Sequence, residues 1–318
     1  MKAVVATGYG QPEEFQVAEV PVPRPGPGQI QVRIAAASIN PTDVVLPGGA
    51  YRGSVELEFP HVPGNDFAGT VTEVGPGVTA FAVGDEIFGA AVPRAMRAIA
   101  SKTRPSLSTG AFAEYAVFEA DAPVLAHRPP GLDAADAAAL ATAGMTALPL
   151  IGKAKLKEGQ TALVIGATGG VGTALVPLLA AAGVHVIATA TEADVELLRG
   201  LGAAEVIGYG DAYPQDVDTV FNLVLKADRI APAVEAVRPG GKLLSIVYPP
   251  AEPVRDDIEQ EFVLDLDGEF GDMSDVAELA VSGALTATIS RRYTLDEGRE
   301  ACVAFVREHT AGKVVITT

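Results

Sequence analysis

Two patterns of apolar and polar positions follow one another along the chain. Up to about residue 120, short β-type runs are separated by Gly and Pro, as in KAVVAT, QIQVRIAAAS, AGTVTEVG, DEIFGA and AFAEYAVF. Alternation such as that in QIQVRI is typical of a strand with one buried face, and PGPG and GPG are turn signals. The first pattern therefore predicts an antiparallel, partly open barrel of short strands.

The second pattern begins at Asp133 with DAADAAALATAGMTALPLI, for which we predict a helix with Asp133 as its N-cap. Short apolar strands then alternate with helices, in the order ALVIG, HVIATA, AEVIGY, DTVFNL, KLLSIV and EFVLDL. This alternation predicts an α/β fold with a doubly wound parallel sheet, the Rossmann architecture, over residues 125–285. The terminal KVVIT suits the first sheet better, so residues 1–124 and 286–318 are predicted to form the barrel-like domain.

Composition and length agree with two ordinary globular domains. The chain has 318 residues, of which 48% are hydrophobic and 20% are charged. We predict no transmembrane helix, because Gly144 and Pro149 interrupt the apolar stretch after Asp133. The apolar run at the N-terminus, within MKAVVATGYG, is too short for the apolar region of a signal peptide. We therefore expect a protein that begins at Met1 and works in the cytoplasm.

Charge and cysteine content exclude several functions. The net charge of −17 argues against nucleic acid or an anionic membrane as a partner. Cys302 is the single cysteine, which excludes internal disulfides and multi-thiolate metal sites, and the four histidines are scattered. We therefore predict no metal site. Cys302 is expected in the core, and His61 is expected in a loop facing solvent.

The stretch VIGATGGVG predicts a dinucleotide-binding loop. Gly166, Gly169 and Gly172 follow a strand and open an apolar helix, where glycines allow a tight turn, close approach of the backbone to a pyrophosphate, and close helix packing. The helix N-terminus then faces the phosphates. The same loop supplies three further candidate cofactor contacts, which are Thr168, Gly170 and Val171.

The end of the second strand of the sheet bears on the choice of cofactor. Ala190 and Thr191 stand where a carboxylate would bind the ribose of NAD, so NADP(H) is favoured, although Glu192 and Asp194 follow and no basic residue is near. Tyr209 could reach a 2′-phosphate through its hydroxyl. Other candidate contacts lie at or near the carboxyl ends of strands, namely Thr189, Thr191, Asn222, Ser245 and Val247.

Several stretches together resemble the medium-chain dehydrogenase/reductases, and among them the zinc-free quinone oxidoreductase group, over essentially the whole chain. They are ASINPTDVVLPGGAY, PGNDFAGTVTEVGPGV, VGDEIFG, GAFAEYAV, AAALATAGMTAL, VIGATGGVG, VIATA, LGAAEVIGY and GKVVIT. The resemblance implies that the barrel-like domain is GroES-like. Zinc-dependent members carry Cys, His and Glu where this chain has Asn40, Asn65 and Asp66, so the resemblance implies a zinc-independent enzyme.

The resemblance also implies the reaction, which is hydride transfer from NADPH to a quinone or an α,β-unsaturated carbonyl. Such acceptors need orientation, a dry pocket and a hydrogen-bond donor for the developing oxyanion. The candidate catalytic residues are Asn40, Asp43 and Tyr51, with Asp43 also able simply to order the Asn40 loop. Thr142 and Thr146 match the segment that runs along the nicotinamide and its ribose; otherwise their hydroxyls bond back to the preceding helical turn.

Alternatives remain open at this point. The loop from Pro93 to Gly110 carries Arg94, Arg97, Lys102 and Arg104, which would suit an anionic thioester substrate and hence an enoyl-thioester reductase, or else form a solvated loop. A cofactor-binding protein without turnover is another possibility. A homodimer is expected through the open edge of EFVLDL, unless its acidic flanks keep that edge monomeric.

Overall fold

The computed structural model describes residues 1–98 and 100–318, which form two compact units. The first unit contains residues 1–142, 266–281 and 287–318, and the second contains residues 143–265 and 282–286. The predicted domain ranges differ from this division, because they assign residues 125–142 and 266–281 to the second domain. Hydrogen bonds explain the difference: Ser38 Oγ donates to Ala138 O at 3.0 Å, and Met273 N donates to Pro123 O at 3.0 Å.

The strands and helices have the following bounds. The strands are β1 (Lys2–Val5), β2 (Gln16–Glu19), β3 (Gln29–Ser38), β4 (Asp66–Val74), β5 (Glu86–Ala90), β6 (Val92–Pro93), β7 (Leu107–Ser108), β8 (Tyr115–Glu119), β9 (Leu125–His127), β10 (Thr161–Ile165), β11 (His185–Ala190), β12 (Glu205–Gly208), β13 (Val217–Asn222), β14 (Val237–Ser245), β15 (Glu259–Phe262), β16 (Ile289–Thr294) and β17 (Lys313–Thr317). The α-helices are α1 (Pro41–Val45), α2 (Ala134–Ala154), α3 (Gly170–Ala181), α4 (Val195–Gly200), α5 (Ala231–Ala236), α6 (Met273–Val281) and α7 (Gly298–Arg307).

The first unit is built on a long, mainly antiparallel sheet in the order β6-β7-β8-β3-β4-β5-β9. β17 joins it by pairing antiparallel with β3, and β16 pairs parallel with β17. Apolar faces of these strands enclose a core in which the rings of Phe67 and Phe118 are stacked, with their centroids 3.8 Å apart. The predicted barrel-like fold and the return of KVVIT to the first sheet are both confirmed.

The second unit is a parallel sheet in the order β12-β11-β10-β13-β14-β15. The buried residues of its strands include Leu163, Val220 and Leu243. The strand order reverses between β10 and β13, and doubly wound sheets bind ligands at the carboxyl ends of the strands beside such a point. The predicted Rossmann fold is confirmed, with the sixth strand beginning at Glu259 and not, as predicted, at Glu261.

The helix α2 runs from Ala134 to Ala154, through Gly144 and Pro149, and confirms the helix predicted for this stretch. Asp133 Oδ1 accepts the Ala135 N–H at 2.9 Å, which confirms the predicted N-cap. By length and composition α2 is apolar enough to cross a membrane, with a mean hydropathy of 1.4, and 67% of that apolar window is buried inside the protein. Such burial is typical of a helix in a protein core, where packing outweighs the cost of an internal proline.

Candidate functional site

The glycine loop of the second unit joins β10 to α3. Gly166 has a φ of +88°, a left-handed conformation that favours glycine. A Cβ at Gly172 would lie 2.4 Å from the backbone oxygen of Ala167, whereas a Cβ at Gly169 would meet its nearest atom at 3.5 Å. Gly172 is therefore needed for close packing of the helix on the turn, whereas a Cβ at Gly169 would make only an ordinary van der Waals contact within the chain.

The start of α3 offers free donors at this loop. Gly170, Val171 and Gly172 precede Thr173, whose N–H makes the first helical bond, to Gly169 O at 2.9 Å. N–H groups of a first turn have no acceptor inside their own helix, and such groups bind phosphate oxygens well. The loop thus has the geometry that the sequence predicts for a pyrophosphate site.

Threonine and tyrosine hydroxyls brace the loop. The Gly166 N–H donates to Thr189 Oγ1 at 3.1 Å, and the hydroxyls of Thr168 and Tyr209 lie 2.9 Å apart. Thr191 Oγ1 donates to Asp194 Oδ2 at 2.6 Å. The structure therefore brings Thr168, Thr189 and Tyr209 together around Gly166.

Asn222 fixes the carboxyl ends of β13 and β14. Its Nδ2 donates to Ser245 Oγ at 3.0 Å and to Leu225 O at 2.9 Å, and its Oδ1 accepts the Leu225 N–H at 2.8 Å. The Val247 N–H donates to Ser245 Oγ at 3.2 Å. These bonds show how the three predicted residues are held at the ligand-binding edge of the sheet; their contact with a cofactor stays a prediction.

In the first unit, Asp43 ties the Asn40 turn to the start of β4. Asp43 Oδ2 accepts the N–H of Asn40 at 2.7 Å, and Oδ1 accepts the N–H of Gly64 at 3.2 Å. Burial, helped by the charge of nearby Asp66, raises the pKa of Asp43 to about 7, although these hydrogen bonds and the charge of Lys313 act to lower it. The Asp43 carboxyl orders the turn through bonds to the main chain.

Asn65 lies beside the same carboxyl. We assign its amide so that the oxygen accepts the Thr42 hydroxyl at 2.7 Å and the nitrogen donates to Asp43 Oδ1 and Ala91 O, each at 3.2 Å. The amide nitrogen of Asn65 therefore donates to Asp43, the residue that holds the Asn40 turn.

Three neighbouring strands bring a buried lysine against Asn40. Ser38 is paired with Val315 on β17 and with Asp66 on β4, so continuing the β3–β17 register places Lys313 opposite Asn40. Lys313 Nζ donates to Asn40 Oδ1 at 2.7 Å and to Asp66 Oδ2 at 3.1 Å. Lys313 is 6% exposed and Asp66 is fully buried.

Asp66 extends this contact to the helix α2. Its carboxylate accepts the Ser38 hydroxyl at 2.7 Å, the Thr142 N–H at 3.2 Å and the Thr142 hydroxyl. We call Ser38, Asn40, Asp66, Thr142 and Lys313 the lysine cluster. It joins Asn40 and Thr142, two residues that the sequence selects separately.

Sequence reasoning missed Ser38 and Lys313 and treated Asp66 only as the replacement for a glutamate. One signal was available for Lys313: a lysine that opens an apolar terminal strand is buried when the strand is internal, and a buried lysine requires a partner. The hydroxyl of Thr142 bonds Asp66, so the expected alternative of a bond to the preceding helical turn does not describe this contact. Thr146 is half-buried on α2 in the second unit.

Tyr51 packs against an apolar cluster after α1. The buried members of this cluster are Leu46, Val55 and Leu57. Tyr51 is thus a half-buried residue with a packed ring. Its contact with substrate stays a prediction.

The basic loop is partly neutralised. Arg104 Nε lies 2.9 Å from Asp121 Oδ1, and the Ser101 hydroxyl donates to Asp267 Oδ1 at 2.5 Å, which anchors the loop within the first unit. The side chains of Arg94, Arg97 and Lys102 are exposed. Ile99, within the predicted loop, lies outside the described residues.

Two residues expected to be inert differ in outcome. Cys302 is fully buried, as predicted, and burial together with the charge of Asp43 raises the pKa of its thiol. His61, which was expected to face solvent, is half-buried: its main chain bonds Ala6 in both directions, and burial lowers the pKa of its imidazole to about 4. The antiparallel bridge to Ala6 holds this segment against the first strand.

The residues at the zinc positions of the family do not fit a zinc ion. Asn40 Oδ1 and Asp66 Oδ2 both face the ammonium of Lys313, so a dication would meet a fixed positive charge there. No group of three or more His, Cys, Asp or Glu side chains in residues 1–98 and 100–318 has the arrangement of a metal site.

Comparison with known proteins gives consistent matches. Residues 26–128 match the alcohol dehydrogenase GroES-like domain, and residues 201–316 match the zinc-binding dehydrogenase family. The chloroplast envelope quinone oxidoreductase homolog of Arabidopsis thaliana is 30% identical over 94% of this chain and 92% of its own length. The NADPH-dependent alkenal/one oxidoreductase of the same plant is 30% identical over 79% of this chain and 64% of its own. A mycobacterial protein solved in complex with NADPH superposes with a TM-score of 0.84 at 26% identity, covering 100% of both chains.

Proposed function

Because this chain belongs to the quinone oxidoreductase group of the medium-chain dehydrogenase/reductases, we propose that it is an NADPH-dependent oxidoreductase that reduces a quinone or an α,β-unsaturated carbonyl. The observation that carries the proposal is the glycine loop, where the left-handed Gly166 and the close contact at Gly172 build a pyrophosphate site at the start of α3.

The residues around this loop fit NADPH. The second strand of the sheet ends at Ala190, with no carboxylate at its tip to repel a 2′-phosphate, and Asp194 is held by the Thr191 hydroxyl. Tyr209 is 51% exposed beside Thr168, so its hydroxyl can donate to a phosphate oxygen. When bound, NADPH supplies the hydride, and the acceptor takes up that hydride together with a proton.

The first unit supplies hydrogen bonds to the acceptor. Hydride addition to a quinone or enone places negative charge on a carbonyl oxygen, and a fixed donor stabilises that charge. Asn40 is buried and held at a turn that Asp43 fixes, and Tyr51 carries a phenol on a packed ring. We assign donation to the acceptor oxygen to Tyr51, donation to the cofactor or to the acceptor oxygen to Asn40, and ordering of the turn to Asp43.

The assembly and location belong to the same proposal. The edge strand β15 has β14 as its neighbour and offers its other edge for pairing with a second copy across a two-fold axis. We propose a homodimer that acts in the cytoplasm on small molecules. Measuring the mass in solution by light scattering tests the dimer, and a monomer at micromolar concentration refutes it.

The deciding experiment measures oxidation of NADPH and of NADH against a quinone, an α,β-unsaturated ketone, an enoyl thioester and a saturated ketone. We expect turnover of NADPH with the quinone or the enone and none with the saturated ketone. Turnover restricted to the enoyl thioester, and lost in Arg94→Glu, would assign the chain to thioester reduction instead. If NADPH protects the fold against unfolding but is oxidised with none of the acceptors, the protein is a cofactor-binding module without turnover.

Tyr51→Phe is the matched variant for the acceptor site, because it keeps the packed ring and removes only the hydroxyl. We expect a lower kcat with an unchanged Kd for NADPH. An unchanged kcat would remove Tyr51 from the set of donors.

A further inference from the structure

The amide of Asn40 has a defined orientation in the lysine cluster. An ammonium group donates hydrogen bonds and accepts none. The atom of Asn40 that lies 2.7 Å from Lys313 Nζ is therefore its oxygen, Oδ1. The nitrogen, Nδ2, is turned to the other side of the amide as a consequence of the lysine.

Nδ2 is buried and has no hydrogen-bond partner anywhere in the described part of the chain. Asn40 as a whole is only 6% exposed. A buried donor left without an acceptor carries its full desolvation penalty, and folded proteins keep few such groups. This pattern indicates a donor kept for an acceptor from outside the polypeptide.

The nearby carboxylates bind other donors, and in the described part of the chain no acceptor lies within hydrogen-bond distance of Nδ2. The Asp43 carboxylate accepts the N–H groups of Asn40 and Gly64. The Asp66 carboxylate accepts from Lys313, from Ser38 and from Thr142. Rotating the Asn40 amide by half a turn would place its NH2 against the ammonium, which is unfavourable.

We propose that Lys313 is a positioning residue: it holds the Asn40 amide so that Nδ2 donates to an oxygen of a bound reactant. This inference rests on the proposed function and adds to it a residue that acts through Asn40. The oxygen belongs either to the nicotinamide or ribose of NADPH or to the carbonyl of the acceptor. Asp66 anchors the ammonium of Lys313 and, by the same carboxylate, the hydroxyl of Thr142.

The first test observes the Asn40 side-chain amide directly, by nitrogen-15 NMR of the full chain. Asn40→Asp keeps a partner for Lys313 and removes Nδ2, so the pair of resonances that it loses belongs to Asn40. We expect this pair to move in Lys313→Met. A shift on adding NADPH assigns the acceptor oxygen to the cofactor, and a shift only on adding the quinone or enone to the NADP⁺ form assigns it to the substrate.

Two results of the NMR experiment overturn the proposal. The Asn40 resonances could stay unchanged in Lys313→Met, which would mean that the lysine does not orient the amide. They could also stay unchanged when NADPH or the acceptor is added, which would mean that Nδ2 donates to neither reactant. Because this readout requires no turnover, it decides on Lys313 even if the wild type fails to oxidise NADPH and the proposed reaction is wrong.

The second test is a double-mutant cycle on kcat/KM with Asn40→Ala, Lys313→Met and the double variant. Loss of one oxyanion donor typically lowers kcat by about 100-fold, and we expect about this loss in Asn40→Ala. Lys313→Met should lower kcat/KM at least ~10-fold when Asn40 is present and less than ~2-fold when it is absent. If the double variant loses kcat/KM by the product of the two single losses, Lys313 acts independently of Asn40, and the proposal is overturned.

Matched variants separate positioning from stability. Lys242 also pairs with a carboxylate, Glu259 at 2.9 Å, but in the second unit, and Lys242→Met should leave kcat/KM unchanged. If Lys313→Met does not fold, Lys313→Arg takes its place in the cycle, since it keeps the charge and moves the donor atoms. Wild-type kcat/KM from Lys313→Arg, with the Asn40 resonances shifted, would also contradict the proposal.

Discussion

Removing one member of the buried pair between Lys313 and Asp66 should destabilise the first unit strongly and unequally. Loss of one partner from a buried ion pair costs about 3–5 kcal/mol. In Lys313→Met the carboxylate of Asp66 keeps the Ser38 hydroxyl and two donors of Thr142, so we expect the lower end, about 3 kcal/mol. In Asp66→Leu the ammonium keeps only Asn40 Oδ1 among its described acceptors, so we expect about 5 kcal/mol.

Calorimetric unfolding measures this difference. A loss of 1 kcal/mol lowers Tm by roughly 2–4 °C in a unit of this size, so Asp66→Leu should lower the transition of the first unit by about 10–20 °C. Lys242→Met is the control: its ion pair has side chains that are 24% and 53% exposed, and such a pair contributes about 0–1 kcal/mol. Variants of Lys313 and Asp66 that unfold within 1 °C of this control would refute the role of the buried pair.

Four further variants test three separate parts of the structure. Gly172→Ala should lower the stability of the second unit, because its Cβ would lie 2.4 Å from Ala167 O. Gly169→Ala should keep that stability and weaken NADPH binding at least ~10-fold. Calorimetry measures the stabilities and cofactor titration measures the binding, and equal stabilities of the two variants would contradict the packing argument. Asp43 has a raised pKa of about 7, against 3.8, so its contribution to stability is fully present below about pH 4 and is lost as the pH rises through about 7. Asp43→Asn should therefore show a smaller fall in unfolding free energy over that range, and an identical pH profile would sink the assignment. Thr191→Asp places a carboxylate after the second strand and should raise the NADH to NADPH ratio of kcat/KM at least ~10-fold, with an unchanged ratio as the contrary result.

The sequence predicts the second unit well because its signals are local. Each strand from ALVIG to KLLSIV is a short apolar run followed by a helix or a turn, and parallel topology follows from that alternation alone. The glycine loop is likewise read from a few adjacent residues. The start of the sixth strand is the exception, since it is set by its pairing with β14.

The lysine cluster could not be predicted in the same way. Its members come from strands and a helix that are far apart in sequence, and they meet because β3 pairs with both β4 and β17. Asn40 and Thr142 were found by resemblance to a family motif, but the contact that links them depends on strand order and register. His61 shows the same limit, because its partial burial accompanies a pairing with Ala6 that is distant in sequence.

The position of β17 has a consequence for how the protein is made. This strand lies between β16 and β3, and it carries Lys313 into the centre of the first unit. A ribosome adds residues 313–317 only after the stretch from 143 to 265, which forms nearly all of the second unit, has been synthesised. The second unit can therefore fold during translation, whereas the barrel-like unit cannot complete its sheet beside β3 until β17 has been synthesised.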